Sequence, residues 1–345
     1  MKAALYGGPG DLLVQDVAEP VLRADGMILR IRACTICGTD LKLYTVGNPR
    51  CTPPRIIGHE LVGEVIAIGD EVDGFELGDR LTFATSVACN RCAYCARGLE
   101  NLCPHMKCIS MDYDGAFAEY MAVPADAIRG GNALRVPDGL ADQAAALAEP
   151  LSCVVNAAKI AGVKPGDTVV VVGAGPMGCL CAEVAKAYGA HRVVVTQRSQ
   201  ERLALARRLA GVEALDVAGG DAAAQIRALT GGEGADVVFA AAPSAMAQAE
   251  AFRMVRKGGA LNLFASLPRG ESTIEIDTRV IHYGQIAVTG ASDSRPCDVR
   301  DALDLLAAGK IDVGTLVTHE LPLDRLLDGI ELMRRRSGLK IAIMP

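Results

Sequence analysis

The sequence predicts an α/β protein in which a β-rich domain accompanies a doubly wound parallel sheet. Residues 1 to about 150 contain short strand-like segments broken by Gly and Pro, whereas the chain from Leu151 onward alternates apolar strands with helices. In the second half, runs of consecutive valines such as those at 169–172 are typical of strands buried on both faces. We therefore expect a first domain at 1–152, a second at 153–285, and a return to the first at 286–345.

The first domain contains four strand-like segments, which are MKAALY (1–6), MILRIRAC (27–34), LVGEVIAIG (61–69) and DRLTFAT (79–85). The second domain opens with a strand, a Gly turn, a helix and a strand over residues 163–196, which is a βαβ unit. The alternation continues through ERLALARRLAG (201–211), ADVVFAAA (235–242), AMAQAEAFRMVRKGG (245–259) and ALNLFAS (260–266). The last part predicts one helix at 297–311 and strands at 316–323 and 339–345.

Composition narrows the possible functions. A formal charge of −6 and no basic stripe argue against a nucleic-acid partner. The first residues lack the profile of a secretory signal, and no uninterrupted apolar run reaches the ~18 residues that span a bilayer. We expect a cytoplasmic protein with no membrane partner. In that reducing compartment the 12 cysteines are expected as free thiols or metal ligands rather than as disulfides.

Four of these cysteines form one cluster in the sequence CNRCAYCARGLENLC, with two, two and seven residues between them: Cys89, Cys92, Cys95 and Cys103. Four thiolates can close a tetrahedron around Zn²⁺ with no open position, which is a structural site. An iron–sulfur cluster is the rival, but its fourth cysteine normally follows after three residues. A loop of reduced free thiols is the third alternative. The spacing favours zinc, in a lobe at 86–108.

A second group of possible metal ligands is mixed in type. CGTD supplies Cys37, GHE supplies His59 and Glu60, and AEP supplies Glu149. Each alone is weak, because a single His beside a strand is often structural and a Glu is often solvated. Together they offer one thiolate, one imidazole and two carboxylates, the donor set of a catalytic zinc that keeps a position free for substrate. One carboxylate then lies outside the metal's own ligand shell, and the sequence leaves open whether it is Glu60 or Glu149.

The segment GAGPMG follows the first strand of the second domain and opens a helix. A Gly-rich turn between a strand and a helix binds a dinucleotide pyrophosphate at the helix N-terminus, as in a Rossmann fold. Gly173 allows the tight turn, Gly175 lets the backbone approach the pyrophosphate, and Gly178 lets helix and strand pack closely. We predict that the cofactor contacts this whole turn: Gly173, Gly175, Pro176, Met177 and Gly178.

The end of the next strand bears on nucleotide choice. Where an acidic residue usually binds the adenosine ribose, this chain has Gln197, followed by Arg198, Ser199 and Arg202. With no carboxylate there and two guanidinium groups able to meet a 2′-phosphate, NADP(H) is favoured over NAD(H). The alternative is that Arg198 lies along the surface, as most arginines do.

These motifs, in this order along essentially the whole chain, resemble the zinc-dependent medium-chain dehydrogenase/reductase family. The resemblance implies a GroES-like catalytic domain with a Rossmann cofactor domain, a catalytic zinc on Cys37, His59 and either Glu60 or Glu149, and a structural zinc on the four clustered cysteines. It also implies that Thr39 begins a proton relay and that Lys340 reaches the cofactor pyrophosphate; the alternative for Lys340 is an ordinary surface lysine before a strand. Relatives often carry His where this chain has Lys42, so the outer relay step uses Lys42 or water.

The resemblance also implies the reaction. Glu149 followed by Pro-Leu-Ser resembles the polyol (sorbitol) and threonine dehydrogenase branches, so we expect hydride transfer between a secondary alcohol, such as a polyol, cyclitol or sugar derivative, and NAD(P). Threonine 3-dehydrogenase activity and simple secondary alcohol oxidation are the alternatives, and a zinc-free reductase or a nonenzymatic nucleotide-binding protein is a more distant one. Family members associate, so residues 274–288 are expected to hold an edge strand that pairs in a homodimer or homotetramer.

Overall fold

A computed structural model of the chain describes residues 1–268 and 270–345. It divides into two compact units. The first comprises Met1–Ser152, Asp293–Ala308 and Val317–Pro345, and the second comprises Cys153–Ser292 and Gly309–Leu316.

The described residues form eighteen strands, numbered along the chain: β1 Lys2–Gly8, β2 Asp11–Asp16, β3 Met27–Thr35, β4 Arg55–Ile56, β5 Glu60–Ile68, β6 Arg80–Phe83, β7 Ser86–Val87, β8 Lys107–Cys108, β9 Tyr120–Val123, β10 Ala133–Arg135, β11 Thr168–Val172, β12 Arg192–Gln197, β13 Glu213–Asp216, β14 Ala235–Ala240, β15 Val255–Leu263, β16 Ala287–Gly290, β17 Val317–Pro322 and β18 Lys340–Met344.

Twelve α-helices accompany them within the same described ranges: α1 Gly38–Val46, α2 Ala125–Arg129, α3 Asp142–Ala145, α4 Ala148–Ala161, α5 Pro176–Ala187, α6 Gln200–Ala206, α7 Ala222–Leu229, α8 Ala245–Ala251, α9 Thr278–Gly284, α10 Pro296–Ala307, α11 Val313–Leu316 and α12 Leu326–Arg334. Short 3₁₀ turns lie at Cys95–Arg97, Glu100–Leu102 and Leu323–Arg325.

The first unit is built around a mixed sheet of seven strands. Its strand order is β10-β6-β5-β3-β18-β17, and β9 pairs with β3. The alternation of apolar and polar residues in β3 buries one face of that strand, with Leu29 and Ile31 in the core and Arg30 and Arg32 outside. The late strand β18 lies antiparallel to β3, so the C-terminal segment completes the sheet begun by the first residues.

The second unit contains a six-stranded parallel sheet with the order β13-β12-β11-β14-β15-β16. The central strand β11 is buried from Val169 to Val172, as its continuous valines require. The order reverses at β11, and the carboxyl ends of strands on either side of such a point form the crevice in which doubly wound sheets bind ligands. The predicted fold class, a β-rich domain with a doubly wound parallel-sheet domain, is confirmed.

Two details differ from the sequence analysis. The segment at 286–292 was assigned to the first domain, but β16 pairs parallel with β15 and is the sixth strand of the second unit; residues 309–316 also belong to that unit. The helix expected over 245–259 ends earlier, because α8 stops at Ala251 and β15 already begins at Val255. A shift in the β14–β15 register between Ala235 and Val237 accommodates the early start of that strand.

Within the described ranges, one helical stretch is long and apolar enough to cross a bilayer by length and composition. It runs over Asp142–Ala161, and 83% of its most apolar window is buried inside the protein. Burial of this kind is what the core helix of a folded domain shows, and the same stretch places Glu149 in the interior.

Candidate metal centres and nucleotide site

Strand pairing brings together three of the predicted ligands of the catalytic metal. Cys37 follows β3 and precedes α1, His59 immediately precedes β5, and Glu60 is the first residue of that strand. Because β3 and β5 are antiparallel partners with Thr35 opposite Glu60, the two motifs meet although more than twenty residues lie between Cys37 and His59 in the sequence. One ligand atom from each of Cys37, His59 and Glu60 lies within 4.8 Å of the other two.

Asp40 supports two members of this group. Its Oδ2 accepts a hydrogen bond of 2.8 Å from the backbone N–H of Cys37, which fixes the first turn of α1. Its Oδ1 lies 3.6 Å from His59 Nδ1, is buried, and has no hydrogen-bond partner among the described residues. A carboxylate facing one ring nitrogen holds the other nitrogen ready for a metal, the usual arrangement around a metal-bound histidine.

Glu60 is tied to two further side chains. Lys340 Nζ donates to Glu60 Oε1, and the Thr35 hydroxyl donates to Oε2. The Lys340 side chain is 2% exposed and that of Glu60 is fully buried. The expected place of Lys340 is the cofactor pyrophosphate or, as the alternative, the surface. The structure excludes the surface position, because the side chain is buried and forms an ion pair with Glu60. Its contact with the pyrophosphate stays a prediction.

Glu149 occupies a different position from Glu60. It lies in the first turn of α4, is 6% exposed, and accepts a 3.3 Å hydrogen bond from the Thr85 hydroxyl at Oε1. Burial raises the pKa of Glu149 to about 7, with the neighbouring Glu60 acting in the same direction and His59 opposing it. Between the two carboxylates left open by the sequence, the described geometry groups Glu60 with Cys37 and His59.

The electrostatic surroundings of His59 favour a positive charge. Burial acts to lower the pKa of His59, but the Asp40 carboxylate and Cys37 outweigh it and raise that pKa well above its ordinary value. A site that stabilises a protonated imidazole in this way also stabilises a divalent cation on the unprotonated ring. The sulfur, nitrogen and oxygen donors, with Asp40 behind the histidine, therefore fit zinc.

The residues expected in a proton relay are at the protein surface. Thr39 is in the first turn of α1 and exposed, and Lys42 is exposed one turn later on the same helix.

The four clustered cysteines converge as the spacing predicts. Their sulfurs all lie within 4.8 Å of one another, with Cys92 Sγ 3.5 Å from that of Cys95 and 3.8 Å from that of Cys103. Backbone N–H groups of Cys89 and His105 each donate to Cys103 Sγ at 3.4 Å, and the N–H of Arg91 lowers the pKa of Cys89 to about 6. A tetrahedral zinc with bonds of ~2.3 Å requires sulfurs roughly 3.8 Å apart, so the set fits that ion.

The three glycines of GAGPMG have distinct environments. Gly173 has φ +107°, a conformation that disfavours other residues, and a Cβ on Gly178 would lie 1.9 Å from the Gly173 carbonyl oxygen. A Cβ on Gly175, which precedes α5, would meet no atom within 4 Å. Gly178 is therefore needed for packing within the protein, whereas Gly175 leaves open space where a pyrophosphate would approach the helix N-terminus.

A cavity of about 180 Å³ opens beside this turn. It is lined by residues from four strand ends and the helices that follow, including Gly173, Gln197, Arg198, Ser244 and Glu250. Gln197 Oε1 accepts from the backbone N–H groups of Arg198 and Ser199, at 2.7 and 3.1 Å, so its amide nitrogen is left as a donor. Gln197 therefore cannot take the part of an acidic ribose acceptor.

The other two residues predicted there, Ser199 and Arg202, lie at the start of α6. Ser199 caps α6, where its hydroxyl accepts from the Arg202 N–H at 3.4 Å and donates to Glu201 at 2.6 Å. Arg202 is 8% exposed. Of the two predicted guanidinium groups, Arg198 is the one that lines the cavity.

Sequence reasoning missed two side chains of these sites. Asp40 is the last residue of CGTD, three residues after Cys37 at the start of a helix, which is a position typical of a capping residue. Glu250 lines the nucleotide cavity from α8, more than fifty residues beyond Gln197. No local sequence pattern connects Glu250 with the cavity. Only the parallel sheet brings the end of β14, which precedes α8, to the same edge as the end of β12.

Both halves of the chain match models of known protein families. Residues 23–138 match the family model of the alcohol dehydrogenase GroES-like domain, and residues 176–308 match that of the zinc-binding dehydrogenases. The sorbitol dehydrogenase of Bacillus subtilis is 31% identical, covering 100% of this chain and 97% of its own length. The L-threonine 3-dehydrogenase of Pyrococcus horikoshii is 32% identical, covering 100% and 98%.

Solved structures agree in fold over the whole chain. A structure described as a zinc-binding dehydrogenase of Sinorhizobium meliloti, bound to NADP, is 30% identical with a TM-score of 0.89, covering 100% of this chain and 99% of its own. The 2R,3R-butanediol dehydrogenase of Bacillus subtilis is 27% identical with a TM-score of 0.90, with the same coverage.

Proposed function

Because this chain belongs to the zinc-binding dehydrogenases and is an NAD(P)-dependent alcohol or polyol oxidoreductase, we propose that it acts on a secondary alcohol of a polyol, cyclitol or sugar derivative and favours NADP(H). The observation that carries the site assignment is the convergence of Cys37, His59 and Glu60 in the first unit. We also propose two zinc ions per chain, the second on the four clustered cysteines.

Each residue of the catalytic group has a part in this proposal. Zinc on Cys37, His59 and Glu60 would make a substrate hydroxyl more acidic, and the nucleotide would supply the hydride chemistry. Asp40 orients His59, Lys340 balances the charge of Glu60, and the Thr35 hydroxyl holds the other oxygen of that carboxylate. Glu149 is the second carboxylate and lies outside the group of Cys37, His59 and Glu60.

Thr39 would take the proton of the substrate hydroxyl and, being exposed, would pass it to solvent or to Lys42.

The nucleotide preference is supported by the donors around the cavity. Gln197 presents an amide nitrogen and Arg198 a guanidinium, both suited to a 2′-phosphate. The relative from Sinorhizobium meliloti, solved with NADP, adds a precedent at 30% identity.

Association and location complete the proposal. Strand β16 is the edge of the six-stranded sheet, and Val288 on it is 39% exposed, so a second copy could pair there to form a homodimer or, with a further contact, a homotetramer. We propose a cytoplasmic enzyme, because its cysteines serve as metal ligands and free thiols that a reducing compartment preserves.

A spectrophotometric screen tests the substrate class. The zinc-loaded protein is offered polyols, cyclitols, simple secondary alcohols and L-threonine with each oxidised nucleotide, and absorbance of the reduced nucleotide is followed. We expect the highest kcat/KM with a polyhydroxylated substrate and NADP⁺. Preference for L-threonine would favour the second candidate, which the threonine dehydrogenase relatives support equally well by identity. No turnover with any alcohol would contradict the proposal.

A further inference from the structure

We propose that Glu250 is a specificity residue of the nucleotide cavity: by holding Arg198 it weakens binding of the 2′-phosphate of NADP(H) and lets the same cavity accept NAD(H). This inference rests on the NADP(H) preference proposed above. It holds that the Glu250 carboxylate limits how strong that preference is. Glu250 comes from α8, not from the strand end where an acidic ribose ligand is usually sought.

Glu250 and Arg198 face each other in the cavity of about 180 Å³. Glu250 Oε2 lies 3.5 Å from Arg198 Nη2. Both residues also line a second cavity of about 630 Å³, so their ion pair borders two open spaces. The Arg198 guanidinium is therefore paired with a carboxylate of the protein itself, with which a 2′-phosphate must compete.

The carboxylate is the fixed partner of the pair. Its Oε1 accepts a 3.0 Å hydrogen bond from the backbone N–H of Ala222, the first residue of the eight-residue helix α7, where the helix dipole favours an anion. The Glu250 side chain is 17% exposed, whereas that of Arg198 is 48% exposed. Arg198 can therefore turn towards a ligand, but Glu250 stays in the cavity.

The two nucleotides meet this arrangement differently. A 2′-phosphate carries almost two negative charges, so it competes with Glu250 for Arg198 and is repelled by the carboxylate at short range. A ribose 2′-hydroxyl is a hydrogen-bond donor, and a carboxylate is the acceptor that usually receives it. Glu250 thus opposes NADP(H) and suits NAD(H).

Glu250→Gln tests the inference by nucleotide binding. Glutamine keeps an oxygen that can accept from the Ala222 N–H, so the variant changes the charge with little change in shape. Calorimetric titration of the zinc-loaded protein with NADP⁺ and with NAD⁺ measures both Kd values. We expect the Kd for NADP⁺ to fall about tenfold and that for NAD⁺ to stay the same or rise. Glu250→Ala should shift the ratio in the same direction, which guards against an effect peculiar to glutamine.

Two further variants separate this inference from the proposed function. Glu201→Gln is the matched control, because Glu201 lies in α6 beside the same loop but bonds to Ser199; it should leave both Kd values unchanged. Arg198→Ala should raise the Kd for NADP⁺. If Arg198→Ala does so while both Glu250 variants leave the NADP⁺/NAD⁺ ratio unchanged or lower the preference for NADP⁺, the inference alone is overturned. If Arg198→Ala leaves NADP⁺ binding unchanged, the proposed NADP(H) site is wrong as well.

Discussion

Asp40 illustrates at the residue scale how one side chain can serve folding and chemistry together. One oxygen closes the first turn of α1 on Cys37, and the other faces His59 without a hydrogen bond from any other described group. A buried acceptor left in this state costs free energy unless the ring opposite donates to it. A proton on His59 Nδ1 would satisfy this acceptor, and it leaves the opposite ring nitrogen available to bind a metal.

Asp40→Asn should separate the two roles of this residue. Asparagine can still accept from the Cys37 N–H, so α1 should keep its first turn, but its amide would present a donor to His59 Nδ1 and disfavour the required tautomer. We expect zinc affinity at the catalytic site to fall about 10- to 100-fold with a nearly unchanged melting temperature. Competition with a chelating dye measures the affinity. Unchanged affinity would show that Asp40 does not position His59.

Glu149 gives a pH prediction for the metal-free protein. Its folded pKa is raised by burial from the ordinary 4.5 to about 7, so the folded state binds more protons than the unfolded state between these values. The contribution of Glu149 to stability therefore falls as the pH rises from about 4.5 to 7, by roughly 3 kcal/mol in all. Denaturant titrations of wild type and Glu149→Gln at pH 5 to 7.5 should diverge over this range. A pH-independent difference between them would contradict the assignment.

At the scale of elements, the turn between β11 and α5 carries two different requirements in one short motif. Gly178 is constrained by the protein itself, since a Cβ would strike the Gly173 carbonyl, whereas Gly175 is constrained by nothing in the chain. An unfilled space at a helix N-terminus is what a bound pyrophosphate requires.

A pair of alanine substitutions tests this division. Gly178→Ala should lower the free energy of unfolding by about 3 kcal/mol or more, because backbone must move. Gly175→Ala should leave stability nearly unchanged and weaken the binding of both nucleotides by at least about tenfold. Thermal melts and calorimetric titrations measure the two effects. Equal nucleotide affinity in wild type and Gly175→Ala would show that the pyrophosphate does not bind at this turn.

The four-cysteine lobe is a second element, and we predict that its stability depends on a bound ion. Its cysteines are joined by turns and 3₁₀ segments, and three of its larger apolar side chains, Tyr94, Leu99 and Leu102, are exposed, so it has little core of its own. Cys92→Ser should release zinc from the lobe and lower the melting temperature or the assembly of the protein. Cys108→Ser is the matched control, because this half-buried thiol contacts Arg50 and Ser86 outside the four; it should cost about 1 kcal/mol or less. Equal effects would argue against a structural ion.

At the scale of the whole molecule, the features that could be predicted from the sequence are those that periodicity and motif spacing encode. Continuous valines predicted the buried parallel strands, and the fold class was correct. Cys37, His59, Glu60 and Glu149 could be proposed as a group because their donor types are complementary, although the choice between the two carboxylates stayed open. The converging four cysteines could be proposed because their spacing in the chain is short.

What could not be predicted depends on contacts between distant segments. The pairing of Lys340 with Glu60 joins strands β18 and β5, and it excludes the surface position that the sequence left open for Lys340. The place of residues 286–292 in the parallel sheet and the place of Glu250 in the cavity beside GAGPMG also depend on contacts between distant segments. Short strands such as β4 and β7, with two residues each, lack the length to show a period at all.

Metal content per chain is the measurement that tests the central claim most directly. Elemental analysis of wild type, His59→Ala and Cys92→Ser, each purified with zinc, counts the ions in each protein. We predict two zinc ions in wild type and one in His59→Ala, which should also lose turnover while still binding NADP⁺. A His59→Ala variant that keeps two ions, or that still turns over substrate, would contradict a catalytic zinc on Cys37, His59 and Glu60.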